Sequence, residues 1–226
     1  MKKVDFYKHN LNSQYTKHIA KVLRSNFLTS GNVCKKTELQ IKFFFNIKYS
    51  LLTNSWTNGA LAVLMALNIK KGDEVIIPAM TFVATANIVE LLGGVPRFVD
   101  VDKDTLLLDL DKTLKAINNR TRAIMPVHLY GNMFDVKRLN NEVKKIGKKI
   151  SIIEDCAHCF EGKFDNQLPG KWSDSAIFSF YATKNITCGE GGAIITNNKS
   201  LYKKISEIRF HGMTAPAIDR FSKKKI

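Results

Sequence analysis

Short apolar runs alternate with amphipathic segments along most of the chain from Tyr49 onward. Short apolar runs bounded by turn residues are typical of buried strands, and apolar residues spaced three or four positions apart are typical of helices. The pattern predicts strands at residues 49–53, 75–78, 96–100, 122–127, 150–155, 176–180 and 192–196. It predicts helices at residues 60–68, 81–92, 113–118, 135–148 and 200–210.

This alternation predicts an α/β fold: a mostly parallel, seven-stranded sheet in a three-layer α/β/α arrangement. Residues 1–48 are predicted as an N-terminal helical segment with a turn at 29–32. An apolar face in that segment is predicted to pack in the core, and it comprises Leu39, Phe43, Phe44, Phe45 and Ile47. Residues 49–212 form the main predicted domain, and residues 213–226 form a tail.

Composition places the chain among soluble globular proteins. Its 226 residues are 45% hydrophobic and 24% charged, which is typical of a folded domain with a sizeable core. The first residues lack the apolar region of a secretory signal, and no apolar window is long enough to span a membrane. These observations predict a cytoplasmic protein with no membrane partner.

The formal net charge of +15 would suit nucleic acid, an anionic surface or a phosphate-bearing substrate. The lysines are scattered, however, and only residues 223–225 form a basic run near the end. A lysine-biased composition therefore explains the charge better than a nucleic-acid interface does, and we expect no nucleic-acid partner.

The spacing of Cys156 and Cys159 is that of metal and redox pairs. A structural zinc site needs four ligands, and no second pair completes one. The pair also lacks the aromatic and proline neighbours of a thioredoxin-like motif. We therefore predict ordinary reduced thiols and no metal site.

Two charged residues in the C-terminal half point to chemistry. Asp155 ends the predicted strand at 150–155 and is followed by small residues that can open a helix, and Lys184 follows the strand at 176–180. The carboxyl ends of parallel strands face the ligand crevice of an open sheet. A lysine that forms a Schiff base and an acid that keeps a pyridine nitrogen protonated are together the protein's contribution to pyridoxal phosphate chemistry. Either residue alone is more often a solvated surface charge.

A hydroxyl-rich turn at residues 55–59 precedes the predicted helix at 60–68. Serine, threonine and asparagine there are ordinary helix caps. The free N–H groups of a helix N-terminus also make a phosphate seat, and both roles are compatible. Phe82, just beyond another strand end, is either a core residue or an aromatic that stacks on a flat ring.

The chain resembles the DegT/DnrJ/EryC1/StrS family of sugar aminotransferases, which are pyridoxal-phosphate enzymes of the type I aminotransferase fold. The resemblance extends from about residue 27 to residue 212. It is carried, in order, by residues 72–76, 81–85, 98–102, 126–128, 153–158, 178–180, 184–187, 189–192 and 210–212.

The resemblance implies a role for each matching residue. Lys184 would bind the cofactor aldehyde and carry protons, and Asp155 would pair with the pyridine nitrogen. Phe82 would stack on the ring, with His158 near the ring hydroxyl or the other face. The cofactor phosphate would be bound by Thr57, the Asn58 backbone and Ser179.

The implied reaction moves an amino group from an amino acid, usually glutamate, to a nucleotide-linked keto-sugar. The residues around His158 and Lys184 look most like those of enzymes that aminate C4 of 4-keto pyranoses. Such enzymes serve cell-surface polysaccharide or secondary-metabolite biosynthesis, and the family implies a homodimer. Relatives that dehydrate or deoxygenate the sugar carry histidine in place of the lysine, so Lys184 argues against that reaction.

Two features depart from the family pattern. Trp56 stands where the family keeps a small residue beside the phosphate seat, so its indole would either crowd the cofactor or point outward. The family also continues into a smaller C-terminal domain, which this sequence largely lacks. The alternatives are a fragment, a truncated gene product, half of a split enzyme whose missing part a separate chain supplies, and a non-catalytic relic or a nucleic-acid-binding regulator of the same fold.

Overall fold

A computed structural model describes residues 3–213. The strands are β1 (Tyr49–Thr53), β2 (Glu74–Pro78), β3 (Val95–Val99), β4 (Thr121–Ile124), β5 (Ser151–Cys156), β6 (Ser175–Ser179) and β7 (Gly192–Thr196). The helices are α1 (Ser13–Leu23), α2 (Asn32–Phe44), α3 (Trp56–Ala66), α4 (Ala84–Leu91), α5 (Leu110–Ala116), α6 (Val136–Ile146) and α7 (Lys199–Arg209). The predicted tail at 213–226 lies outside the described residues except for Met213.

The strands form one sheet in the order β1-β7-β6-β5-β4-β2-β3. Strand β7 is antiparallel to both of its neighbours, β1 and β6, and the other pairs in the sheet are parallel. The prediction of a mostly parallel, seven-stranded sheet is therefore confirmed.

Helices cover both faces of this sheet. On one face, α3, α4 and α7 pack against alternate strand residues in a cluster that includes Ala60, Leu64, Ile88, Ile153, Ile177, Ile194 and Ile205. On the other face, one cluster joins α6 to β2, β4 and β5, and another joins α2 to β6 and β7. Successive strand residues point to opposite faces, so Ile152 and Ile153 belong to different clusters.

The apolar face predicted for the N-terminal segment is only partly right. Phe45 and Ile47 are buried as predicted, together with Ile41. Leu39 and Phe43, by contrast, are 50% and 74% exposed, and Phe44 is 49% exposed. Because Leu39 and Phe43 each lie two positions from Ile41, they emerge on nearly the opposite side of the helix.

Several predicted boundaries also shift. Helix α3 begins at Trp56 rather than at residue 60, and α4 begins at Ala84 rather than at residue 81. The small residues after β5 open no helix: Cys159 N–H donates to the Cys156 carbonyl at 3.0 Å in a turn. Among residues 3–213, no helix combines the length and the apolar character needed to cross a bilayer.

Candidate active site

Asp155 occupies the carboxyl end of β5 and is only 4% exposed. Its backbone is fixed by the neighbouring segment, since Asp155 N–H donates to the Pro126 carbonyl at 2.9 Å and His128 N–H donates to the Asp155 carbonyl at 3.0 Å. Its side chain accepts from the Ala157 N–H at 3.0 Å and from the Thr85 hydroxyl at 3.3 Å. The sheet and α4 therefore hold this carboxylate in one orientation.

Burial raises the pKa of Asp155 to about 6, although the Ala157 N–H, the hydroxyl of Thr85 and the charge of Lys184 act in the opposite direction. A buried carboxylate in water-free surroundings is costly unless a donor or a cation neutralises it. The side chain is therefore suited to a cationic partner that arrives with a ligand.

Lys184 follows β6 on a loop and is half-buried. Its backbone N–H donates to the Tyr181 carbonyl at 2.9 Å, which closes a turn. Burial lowers the pKa of Lys184, and the negative charge of Asp155 raises it. Each group therefore shifts the pKa of the other, which places the amine and the carboxylate within electrostatic range of one another.

The turn before α3 is a capped helix start. Ser55 is the N-cap, and its hydroxyl accepts from the Asn58 N–H at 3.1 Å. Thr57 lies in the first turn of the helix, where N–H groups and the helix dipole favour an anion. The Asn58 N–H that was predicted to bind phosphate is thus already engaged by Ser55, and its role as a phosphate donor stays a prediction.

Gly192 brings this helix start to the end of β6. A Cβ atom at Gly192 would lie 2.7–2.8 Å from backbone atoms of Ser55 and Phe178, so no larger residue fits. Gly192 is also paired with Ser179 across the β6–β7 ladder. The backbone therefore places Ser179 and the N-terminus of α3 at the same edge of the sheet.

Trp56 is a core residue. It is 6% exposed and packs in the cluster beneath α3 and α4. Its indole does not point outward, and its Nε1 has no hydrogen-bond acceptor among the described residues.

Phe82 lies in the turn just before α4, and its ring is 75% exposed. Its carbonyl accepts from the Thr85 N–H at 3.0 Å, and the Thr85 hydroxyl donates to Asp155 at 3.3 Å. The interpretation of Phe82 as a core residue is therefore wrong, and the backbone of Phe82 is linked through Thr85 to the Asp155 carboxylate. Thr85 had no role assigned from the sequence, although Thr81 and Thr85 are spaced one helical turn apart and bond to each other at 3.0 Å.

His158 follows β5 in the same turn as Ala157 and is partly buried. Burial and the charge of Lys184 lower the pKa of its imidazole. His158 therefore lies within electrostatic reach of the lysine and, at neutral pH, is an uncharged ring that both donates and accepts a hydrogen bond.

Cys156 and Cys159 are buried and unpaired. Burial raises the pKa of Cys156 well above its ordinary value and that of Cys159 to about 11. Thiols of this kind are poor nucleophiles and poor metal ligands, because the thiolate is the reactive form.

A second buried carboxylate was missed from the sequence. Glu154 Oε2 lies 2.8 Å from His128 Nε2, and Glu154 Oε1 accepts from the Gly170 N–H at 2.8 Å and the Ser173 hydroxyl at 2.5 Å. His128, Glu154 and Cys156 bring possible ligand atoms within 4.8 Å of one another. Since His128 Nδ1 accepts from the Phe134 N–H at 3.1 Å, Nε2 carries the ring proton of the neutral imidazole and donates to Glu154. The group is thus a closed hydrogen-bond network.

The family model of the DegT/DnrJ/EryC1/StrS aminotransferases matches residues 9–226. Spr1654 from Streptococcus pneumoniae in its PMP-form is similar, with a TM-score of 0.90 at 29% identity over 98% of this chain and 60% of that chain. Helicobacter pylori PseC, an aminotransferase involved in the biosynthesis of pseudoaminic acid, gives a TM-score of 0.87 at 31% identity over 95% and 58%. DesI in the presence of its TDP-sugar product gives a TM-score of 0.82 at 29% identity over 89% and 50%. The chain thus spans half to three-fifths of the length of these proteins.

Proposed function

Because the chain belongs to the DegT/DnrJ/EryC1/StrS aminotransferase family, we propose that it provides the cofactor site of a pyridoxal-phosphate-dependent sugar aminotransferase. The observation that carries this proposal is the pair formed by Asp155 and Lys184. A buried carboxylate with a pKa of about 6 and a half-buried amine with a lowered pKa follow neighbouring parallel strands and lie within electrostatic range of one another.

The residues present fit pyridoxal 5'-phosphate. When bound, this cofactor supplies an aldehyde that condenses with amines and a pyridinium ring that withdraws electrons. Asp155 would hold the proton on the ring nitrogen, which satisfies a carboxylate that is otherwise buried at a cost. Burial keeps more of the Lys184 amine in the neutral, nucleophilic form and lets it accept a proton from a substrate carbon.

The remaining site residues would bind the cofactor and orient its ring. Thr57, the Asn58 backbone and Ser179 would hold the phosphate at the edge where α3 meets β6. Phe82, already exposed without a ligand, would cover one face of the ring. His158 would donate a hydrogen bond near the ring hydroxyl or cover the opposite face.

We propose an amino acid, glutamate by preference, as the amino donor and a nucleotide-linked 4-keto sugar as the acceptor. The TDP-sugar of DesI and the aminotransferase activity of PseC support this substrate class. The product would enter cell-surface polysaccharide or secondary-metabolite biosynthesis, and the assembly would be a homodimer or would include a chain that supplies further substrate contacts.

The first experiment asks whether the chain binds the cofactor through Lys184. The purified protein is mixed with pyridoxal phosphate, reduced with borohydride, digested and analysed by mass spectrometry. We expect the pyridoxyl mass on the peptide that contains Lys184, and its loss in Lys184→Ala. Lys171→Ala is the matched control, because Lys171 is exposed and outside the site.

The second experiment adds glutamate and then a nucleotide-linked 4-keto sugar, and follows 2-oxoglutarate and the amino sugar. Both products are expected in the wild type and neither in Lys184→Ala. A protein that forms no adduct at Lys184 and instead retains DNA in a salt-sensitive way would contradict the proposal and favour a nucleic-acid-binding function.

A further inference from the structure

Tyr130 has a strained backbone at the edge of the site. It lies in a single 3-10 turn, Leu129–Gly131, with φ 52° and ψ 28°. This left-handed conformation is unfavourable for a residue with a bulky side chain. The ring is 78% exposed, so burial of the side chain does not compensate. A non-glycine residue is thus kept in this conformation without an evident benefit to the core.

Tyr130 makes two contacts with His158. The two rings are nearly parallel, at an interplanar angle of 7° with their centroids 5.3 Å apart, which is an offset stack. The Tyr130 N–H also donates to His158 Nδ1 in a long hydrogen bond of 3.4 Å. One residue therefore contacts the imidazole through both its ring and its main chain.

The main-chain contact selects a tautomer. A neutral imidazole has one donor and one acceptor nitrogen. Because Nδ1 accepts from Tyr130, Nε2 must carry the proton. Burial and the neighbouring Lys184 favour the uncharged imidazole by lowering its pKa. The hydrogen bond from Tyr130 then determines which of the two neutral tautomers His158 adopts. The same residue thus has the left-handed backbone and the N–H that contacts His158.

We propose that Tyr130 is a positioning residue that acts through His158: its ring and its main-chain N–H hold the imidazole in one orientation as the Nε2–H tautomer. The side chain of His158 then presents a fixed hydrogen-bond donor to an oxygen of the bound cofactor. This inference rests on the proposed function only in placing the cofactor beside His158.

The test begins on the protein without cofactor. Long-range ¹H–¹⁵N NMR reports which nitrogen of an imidazole is protonated, and His158→Gln assigns the signal. We expect a single Nε2–H tautomer for His158 in the wild type and in Tyr130→Phe, which keeps the ring. In Tyr130→Ala we expect a mixture of tautomers, because the stack is lost and the backbone can leave its strained conformation.

Tyr130→Gly separates this role from a structural one. Glycine adopts positive φ without strain, so this variant should melt at or above the temperature of the wild type. It should nevertheless lose the single His158 orientation, because the stacking ring is gone. A variant that is stable and yet disordered at His158 supports the inference, and a His158 signal identical to wild type in both Tyr130→Ala and Tyr130→Gly overturns it.

Cofactor affinity supplies the second readout. Loss of one oriented donor should weaken pyridoxal phosphate binding about tenfold in Tyr130→Ala, with Tyr130→Phe within about twofold of wild type. Equal affinity in all three proteins contradicts the inference, while an adduct still formed at Lys184 leaves the proposed function intact. If no adduct forms at Lys184 in the wild type, the proposed function fails, and the NMR result still decides whether Tyr130 sets the His158 tautomer.

Discussion

Two neighbouring carboxylates on β5 have opposite environments. Glu154 is 1% exposed and Asp155 is 4% exposed, so the degree of burial does not distinguish them. Successive residues of a strand face opposite sides of the sheet. Glu154 therefore faces the layer that contains α6, and Asp155 faces the layer that contains α3 and α4, where Thr85 donates to it.

The Glu154 environment is closed by the protein itself. Both carboxylate oxygens have partners, with His128 on one and Gly170 and Ser173 on the other. These partners come from the segment that follows β4 and from the segment between β5 and β6, so the network ties these parts of the chain together. Such a carboxylate supports the fold and is satisfied without a ligand.

The Asp155 environment is incomplete. One backbone N–H and one long hydroxyl contact at 3.3 Å are too little to offset burial, and the pKa rises to about 6. The comparison indicates that a buried carboxylate whose oxygens all have donors stabilises the fold. A buried carboxylate with a raised pKa and too few donors indicates a ligand-binding site.

The largest loss of stability is expected when a hydrogen-bond donor to Glu154 is removed. His128→Ala leaves the buried Glu154 carboxylate without the donor to its Oε2, and we expect a loss of about 3–5 kcal/mol in the free energy of unfolding. Urea denaturation measures it. In the double variant His128→Ala, Glu154→Ala, part of the stability should return, and a loss below about 1 kcal/mol in the single variant would show that the network is not structural.

Asp155→Asn, in contrast to His128→Ala, should reduce activity more than stability. The amide cannot hold the ring nitrogen protonated, so transamination should fall about 100- to 1000-fold. Binding of the cofactor to Lys184 should persist, because the lysine is unchanged. Steady-state kinetics with glutamate and the keto-sugar measure the loss, and wild-type activity in a correctly folded variant would contradict the assigned role.

The raised pKa of Asp155 predicts that the stability of the folded protein depends on pH. A folded-state pKa of about 6 against 3.8 in the unfolded chain means that the folded state binds the extra proton between these values. Stability without cofactor should therefore fall as pH rises from about 4 to about 6, by roughly 3 kcal/mol from this group. The difference between wild type and Asp155→Asn isolates Asp155 from the other carboxyls, and a difference that does not change with pH would refute the raised pKa.

The smallest expected effect comes from the partner of Asp155. Thr85→Val keeps the shape of a buried side chain and removes the hydroxyl donor, so it should raise the pKa of Asp155 further. The expected loss of stability is about 1 kcal/mol or less, because the lost contact is long. Thermal unfolding measures this loss. A cost as large as that of His128→Ala would show that the two carboxylates are equally dependent on their partners.

The sequence predicts the strand that carries both carboxylates but not the difference between them. An apolar run that ends in two acids indicates a strand end facing a crevice, and this suffices for Asp155. The role of Glu154 depends on His128, which the parallel pairing of β4 and β5 brings alongside. No local pattern encodes that contact.

Other differences between the sequence-based predictions and the structure have similar physical causes. The start of α3 was placed four residues late because capping by Ser55 depends on backbone geometry that its residue type only suggests. The sequence pattern predicts no helix or strand between residues 157 and 174, and the end of this segment is held by hydrogen bonds from Gly170 and Ser173 to Glu154. The left-handed conformation of Tyr130 has no signal in its residue type, since tyrosine rarely adopts it.

The measurement that tests the central claim most directly is ¹⁵N NMR of pyridoxal phosphate labelled at the pyridine nitrogen and bound to the protein. The account predicts a protonated nitrogen in the wild type and in Glu154→Gln, and an unprotonated nitrogen in Asp155→Asn. An unprotonated nitrogen in the wild type, or a nitrogen signal that Asp155→Asn leaves unchanged, would contradict it.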